Sequence, residues 1–82
     1  MPVISRFYGI IIKMYFNEHG IPHFHAIYNE YNGVFSISDL IMIEGDLPSK
    51  AQTLVKEWAF KYKDELEKMW ATKDIITLPG LE

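Results

Sequence analysis

His23-Phe24-His25-Ala26-Ile27-Tyr28-Asn29-Glu30-Tyr31-Asn32-Gly33-Val34-Phe35-Ser36-Ile37-Ser38 is the stretch whose reading decides the fold. From His23 to Tyr31 side chains alternate at period two, with Phe24, Ala26 and Tyr28 on one side and His23, His25 and Ile27 on the other. Asn32-Gly33 is the strongest short hairpin signal, because a type I′ turn needs positive φ at both central residues. A two-residue loop there sets Tyr31 opposite Val34, Glu30 opposite Phe35 and Tyr28 opposite Ile37. Phe24, Ala26 and Tyr28 then share a face with Phe35 and Ile37, and His23 and His25 go with Ser36 and Ser38. Strand period and turn agree on a hairpin with one apolar face, its second strand running from Val34 to Ser38.

Upstream, Phe7 to Phe16 reads as another strand, since Tyr8, Ile10, Ile12, Met14 and Phe16 form an apolar face against a mixed one of Phe7, Gly9, Ile11, Lys13 and Tyr15. Asn17-Glu18-His19-Gly20-Ile21-Pro22 interrupts it as a wide hairpin loop. Downstream, after a turn at Ser38-Asp39, Leu40 to Ile43 is a short apolar run that fits a fourth strand ended by Glu44-Gly45-Asp46. Leu47-Pro48-Ser49 starts a helix. Ala51, Leu54, Val55, Trp58, Ala59, Tyr62, Leu66, Met69 and Trp70 recur at helical spacing, with charged residues filling the other side. Unbroken from Ser49 to Thr72, that helix would be about 36 Å long, more than so short a domain spans, so a bend near Lys63-Asp64 is expected with Asp64 as its cap. Ile75-Ile76-Thr77-Leu78 has the composition of an edge strand stopped by Pro79-Gly80. The expected fold is α+β, an antiparallel meander of three or four strands packed against an amphipathic C-terminal helix, whole or broken in two.

At 82 residues the chain is expected to form a single domain over 1–82 with a small core, which an aromatic content of 15% helps to fill. Without cysteine it has no disulfide staple, and a cytoplasmic location is the plain expectation. The longest apolar stretch, Gly9-Ile10-Ile11-Ile12, is far short of the ~20 residues that cross a bilayer, so no membrane role is expected. A net charge of −3 gives no support to a broad phosphate-binding surface, although a local RNA contact is compatible with it. Trp58 and Trp70 fall on the apolar stripe as core or interface anchors, with Met14, Met42 and Met69 as gap fillers.

The chemical signal is His19, His23 and His25, spaced H-x3-H-x-H. Residues two apart on a strand point the same way, ~6.5–7 Å apart along the chain, and His19 in the adjoining loop can fold back over the pair. Three imidazoles on one side of a hairpin can act as general acid and base, or ligate zinc with one position open for water. The bland reading, imidazoles bonded to nearby backbone, carries at least as much weight. Glu18 is a candidate to orient an imidazole, and Arg6, Tyr8 and Lys13, with Tyr15 beside them, are candidates to hold an anion or substrate. No cofactor is required by the sequence, zinc being the alternative. There is no phosphate loop, nucleophile elbow or CxxC pair.

Pro2-Val3-Ile4-Ser5-Arg6-Phe7-Tyr8-Gly9-Ile10, Met14-Tyr15-Phe16-Asn17-Glu18-His19 and Pro22-His23-Phe24-His25-Ala26 together resemble the small prokaryotic proteins of domain-of-unknown-function family 4160. The resemblance extends through Glu44-Gly45-Asp46-Leu47-Pro48 and the Trp58-containing helix. The family pattern has Asp in place of Glu18 and proline in place of Ile21, while all three histidines match. It implies a component of a two-gene operon, often beside a protein of family 2442, and from that arrangement a toxin–antitoxin-like role. The resulting expectation is a small cytoplasmic module acting through a protein partner, the adjacent gene product first, with self-association also open. The alternative is a histidine-dependent ribonuclease, with Lys13 or Arg6 stabilising the charged phosphorane, or a metal-dependent hydrolase centred on His19, His23 and His25.

Overall fold

A computed structural model of the protein describes residues 3–15 and 20–81. Tyr8 and Gly9 take φ of 51° and 79°, the paired positive values of a type I′ turn. The run 7–16 is therefore folded back on itself as β1 (Val3–Phe7) and β2 (Ile10–Lys13), with Phe7 opposite Ile10. This corrects the single strand that the alternation predicts. Phe7 is buried beside Ile10 and Ile12, and Tyr8 is lifted out at the turn, 60% exposed. Phe16 and the first three residues of the expected loop, 17–19, lie outside the described residues.

The central hairpin forms, but not at Asn32-Gly33. β3 (His23–Tyr28) and β4 (Tyr31–Ser36) join through Asn29-Glu30, with Asn29 at φ 56°. Asparagine tolerates that left-handed region better than most side chains. Tyr28 pairs with Tyr31, Phe24 with Phe35 and His23 with Ser36. Moving a two-residue turn by three positions shifts the pairing by six, an even number, so every side chain keeps its expected face. Gly33 lies inside β4, where a Cβ would stand 2.8 Å from Met42 Sδ and 3.4 Å from Leu47 Cβ. Its missing side chain serves packing rather than turning.

A turn over 37–39 and Leu40 at φ 58° lead into β5 (Met42–Gly45). Two bonds tie its far end to β4: Asp46 N–H donates to Asn32 O at 2.9 Å, and Asn32 N–H donates to Asp46 Oδ1 at 3.1 Å. Gly45, at φ 119°, lies so close to β4 that a Cβ would stand 2.6 Å from Gly33 Cα. The result is a five-stranded antiparallel sheet in the order β1-β2-β3-β4-β5, not three or four strands. The additional strand comes from the split at Tyr8-Gly9.

The helical segment breaks as its length requires. α1 (Ser49–Lys61) and α2 (Lys63–Thr72) meet at Tyr62, whose φ of −113° and ψ of 24° interrupt the helix. The longest dimension of the molecule is 30 Å, less than the span of an unbroken helix over these residues. Asp64 is not the cap; Tyr62 holds that position without a side-chain bond, and Asp64 and Glu65 lie in the first turn of α2, favourably placed near its positive end. Trp58, fully buried, stacks on Phe7 at 5.6 Å between ring centres and meets Phe24 edge-on at 6.1 Å, fixing α1 to the sheet. Its indole Nε1–H donates to Pro79 O at 2.8 Å.

The tail after α2 is not a strand. It nevertheless runs beside β1, with Leu78 N–H donating to Ile4 O at 2.7 Å and Gly80 packed on Arg6 and Phe7. Leu78 is buried. The core lies between one sheet face and the helices, built from Ile4, Phe7, Ile10, Ile12, Met14, Phe24, Phe35, Val55, Trp58 and Leu66, among others. No helix among the described residues is long and apolar enough to cross a membrane.

Candidate functional site

Because Phe24 and Ala26 point into the core, period two sends His23 and His25 to the other side of β3, where both are half-buried. Lys13 of β2 stands opposite His25, and Ser36 of β4 opposite His23. The two imidazoles touch edge to face, 5.4 Å between ring centres. His25 meets the Tyr15 ring edge-on at 4.7 Å, and His23 leans on Trp70 at 4.9 Å. Lys73 Nζ caps the other side of Trp70, 3.8 Å from the ring centre. The result is a continuous row: Tyr15, His25, His23, Trp70, Lys73.

His23 Nδ1 lies 2.8 Å from Ile21 O. A carbonyl only accepts, so Nδ1 carries the proton, and in neutral His23 the lone pair is on Nε2. The bond also ties the end of the loop to the start of β3.

The structure thus brings His23 and His25 together, while His19 and Glu18 lie outside the described residues. Among the described residues, no three histidine, aspartate or glutamate side chains are grouped to hold a metal ion. The proposed anion-holding residues are divided among β1, the turn after it, and β2 with its continuation at Tyr15. Lys13 is beside His25, Arg6 is exposed on β1 two strands away, and Tyr8 is at the type I′ turn. Trp70, expected as an anchor on the apolar stripe, is only half-buried and supplies a ring to the histidine row. Sequence reasoning named Tyr15 with Lys13 as an anion holder but not as a ring against His25, and it missed Lys73. The available signal was slight: Tyr15 continues the Lys13 face of its strand, whereas Lys73 reaches Trp70 from the left-handed cap of α2, at φ 60°.

A second surface is β5. Met42 turns toward the core, while Ile43 and the preceding Ile41 are 51% and 53% exposed. The two margins of the sheet differ. β1 has the tail beside it, bonded at Leu78, whereas β5 pairs with β4 and its residues Ile43, Glu44 and Gly45 are exposed.

The sequence model of a family described as "Domain of unknown function (DUF4160)" matches residues 9–71, which span β2 to β5 and nearly all of both helices. No curated protein and no solved structure matches the chain.

Proposed function

Since this chain belongs to the DUF4160 family, whose description assigns no activity, its own surfaces must carry the argument, and we propose that it is a small protein-binding module, one member of a toxin–antitoxin-like pair, that takes its partner on the open edge of β5. The supporting observation is the asymmetry of the sheet: the tail flanks β1, and β5 presents Ile41 and Ile43 to solvent. An uncovered strand with apolar side chains is a template for adding a strand from another chain. Glu44, exposed on β5, favours a partner strand that brings lysine or arginine opposite it.

The partner to test first is the product of the adjacent gene. Co-expressed with it, the chain should be recovered as a complex, and Ile43→Lys should abolish recovery while His23→Ala and His25→Ala retain it. Growth should be inhibited when one member of the pair is expressed alone and restored when both are present. The reading fails if Ile43→Lys leaves the complex intact. Should the histidine variants instead remove growth inhibition or RNA cleavage with the fold preserved, the ribonuclease alternative takes its place.

A further inference from the structure

A half-open cleft of about 690 Å³ lies at the end of the molecule where the first two turns meet α1. Its volume falls within the roughly 300–1,000 Å³ of ordinary ligand sites. Ile10, Ala51 and Leu54 give it an apolar wall, Tyr8, Tyr28, Pro48 and Leu81 line the remainder, and among the described residues the charged lining is Lys50 and Glu57. Gly9 packs under the Tyr28 ring, a Cβ there standing 3.5 Å from Tyr28 Cε1, so both tyrosines belong to one wall.

Two observations bear on what fills it. Tyr8 occupies the first position of a type I′ turn at φ 51°, a left-handed conformation that a bulky side chain adopts at a cost and that asparagine or glycine would take more easily. The chain holds a tyrosine there nonetheless, and its ring lines the cleft. The second observation concerns charge. Lys50 and Glu57 are seven positions apart on α1, hence on one side of the helix and about 10.5 Å apart along its axis. In a polyproline II chain, residues three apart face the same way at about 9.3 Å, and such chains dock on grooves lined by aromatic rings.

We propose that the cleft between the Tyr8-Gly9 turn, the end of β3 and α1 binds a proline-containing segment of another protein in the polyproline II conformation, with a basic and an acidic residue three positions apart meeting Glu57 and Lys50. The proline rings lie against Tyr8, Tyr28 and Leu54, and the phenol hydroxyls are available to the segment's exposed carbonyls. This site is separate from β5 and does not depend on the reading given to that edge.

The test uses four blocked peptides followed by amide and methyl chemical shifts of the full chain. They are lysine-proline-proline-glutamate, its doubly basic and doubly acidic counterparts, and lysine-alanine-alanine-glutamate. The first should shift Ile10, Ala51 and Leu54. The other three should bind more weakly, each like-charged peptide by roughly two- to fivefold, as expected for losing one half-exposed ion pair. Lys50→Glu should transfer the preference to the doubly basic peptide. Lys68→Glu, with the same change of net charge on an exposed position of α2, should not. Tyr8→Asn should weaken binding and raise the melting temperature together. The proposal is overturned if no peptide shifts the cleft residues, if the four are indistinguishable, or if Lys50→Glu and Lys68→Glu behave alike.

Discussion

Replacing Gly45 with alanine is the sharpest test of how β5 is attached, and Gly20 supplies its control. Both glycines have φ that an L side chain resists, 119° and 97°. An alanine at either position incurs that backbone cost, of order 1–2 kcal/mol. Only Gly45 adds a collision. Its new Cβ would stand 2.6 Å from Gly33 Cα and closer still to Asn32 O, whereas among the described residues nothing lies within 4 Å at Gly20. Those atoms are backbone in the middle of a sheet, so relief requires β5 to move away from β4, breaking the Asp46–Asn32 bonds. Overpacking of this kind costs about 1–3 kcal/mol more. Gly45→Ala should therefore lose about 2–5 kcal/mol and Gly20→Ala about 1–2, out of a total that for a chain this short is roughly 4–12 kcal/mol. Urea denaturation with far-ultraviolet circular dichroism measures both. Equal losses in the two variants would refute the close approach of β5 to β4.

Three further substitutions probe other parts of the account. Trp58→Phe keeps the ring among Phe7, Phe24 and Tyr62 but removes the donor to Pro79 O; it should cost about 1–2 kcal/mol and speed hydrogen exchange at the Leu78 amide. Ser5 is buried with no hydrogen-bond partner for its hydroxyl among the described residues, so Ser5→Ala should be neutral or stabilise by up to about 1 kcal/mol in the same urea titration. Tyr8→Asn, by relieving a left-handed tyrosine, should stabilise by about 0.5–1 kcal/mol in thermal melts.

The faces of the central hairpin were legible in the sequence for a reason that outlasts the misplaced turn. Any two-residue loop pairs residues whose numbers have the same parity relation, so Phe24 shares a face with Phe35 and His23 with Ser36 wherever the loop falls. The position of the loop was not legible, because Asn-Gly reports only that a glycine is wanted. At Gly33 the demand comes from Met42 and Leu47, residues distant in sequence. The turn at Tyr8-Gly9 was hidden by apolar residues on both sides and by a tyrosine where turn chemistry favours asparagine. Helix length against molecular size did foretell the break at Tyr62, but not its cap.

For the candidate sites the division is similar. That His23 and His25 share a face follows from period two alone. The contact of His23 with Trp70 and, beyond it, Lys73 depends on where α2 ends relative to β3, which no local pattern encodes. The cleft is drawn from a turn, a strand end, a helix and the tail, so its lining residues are scattered along the chain from Tyr8 to Leu81. The exposed edge of β5 lay between these cases. Its apolar run was readable, and its place at the margin of the sheet emerged only with the strand order.

Amide hydrogen exchange of the chain, alone and mixed with the adjacent gene product, tests the docking edge most directly. Strand addition predicts that the amides of Met42–Gly45 turned away from β4 become protected when the partner is present. Protection appearing elsewhere, with those amides exchanging as fast as in the isolated chain, would contradict it.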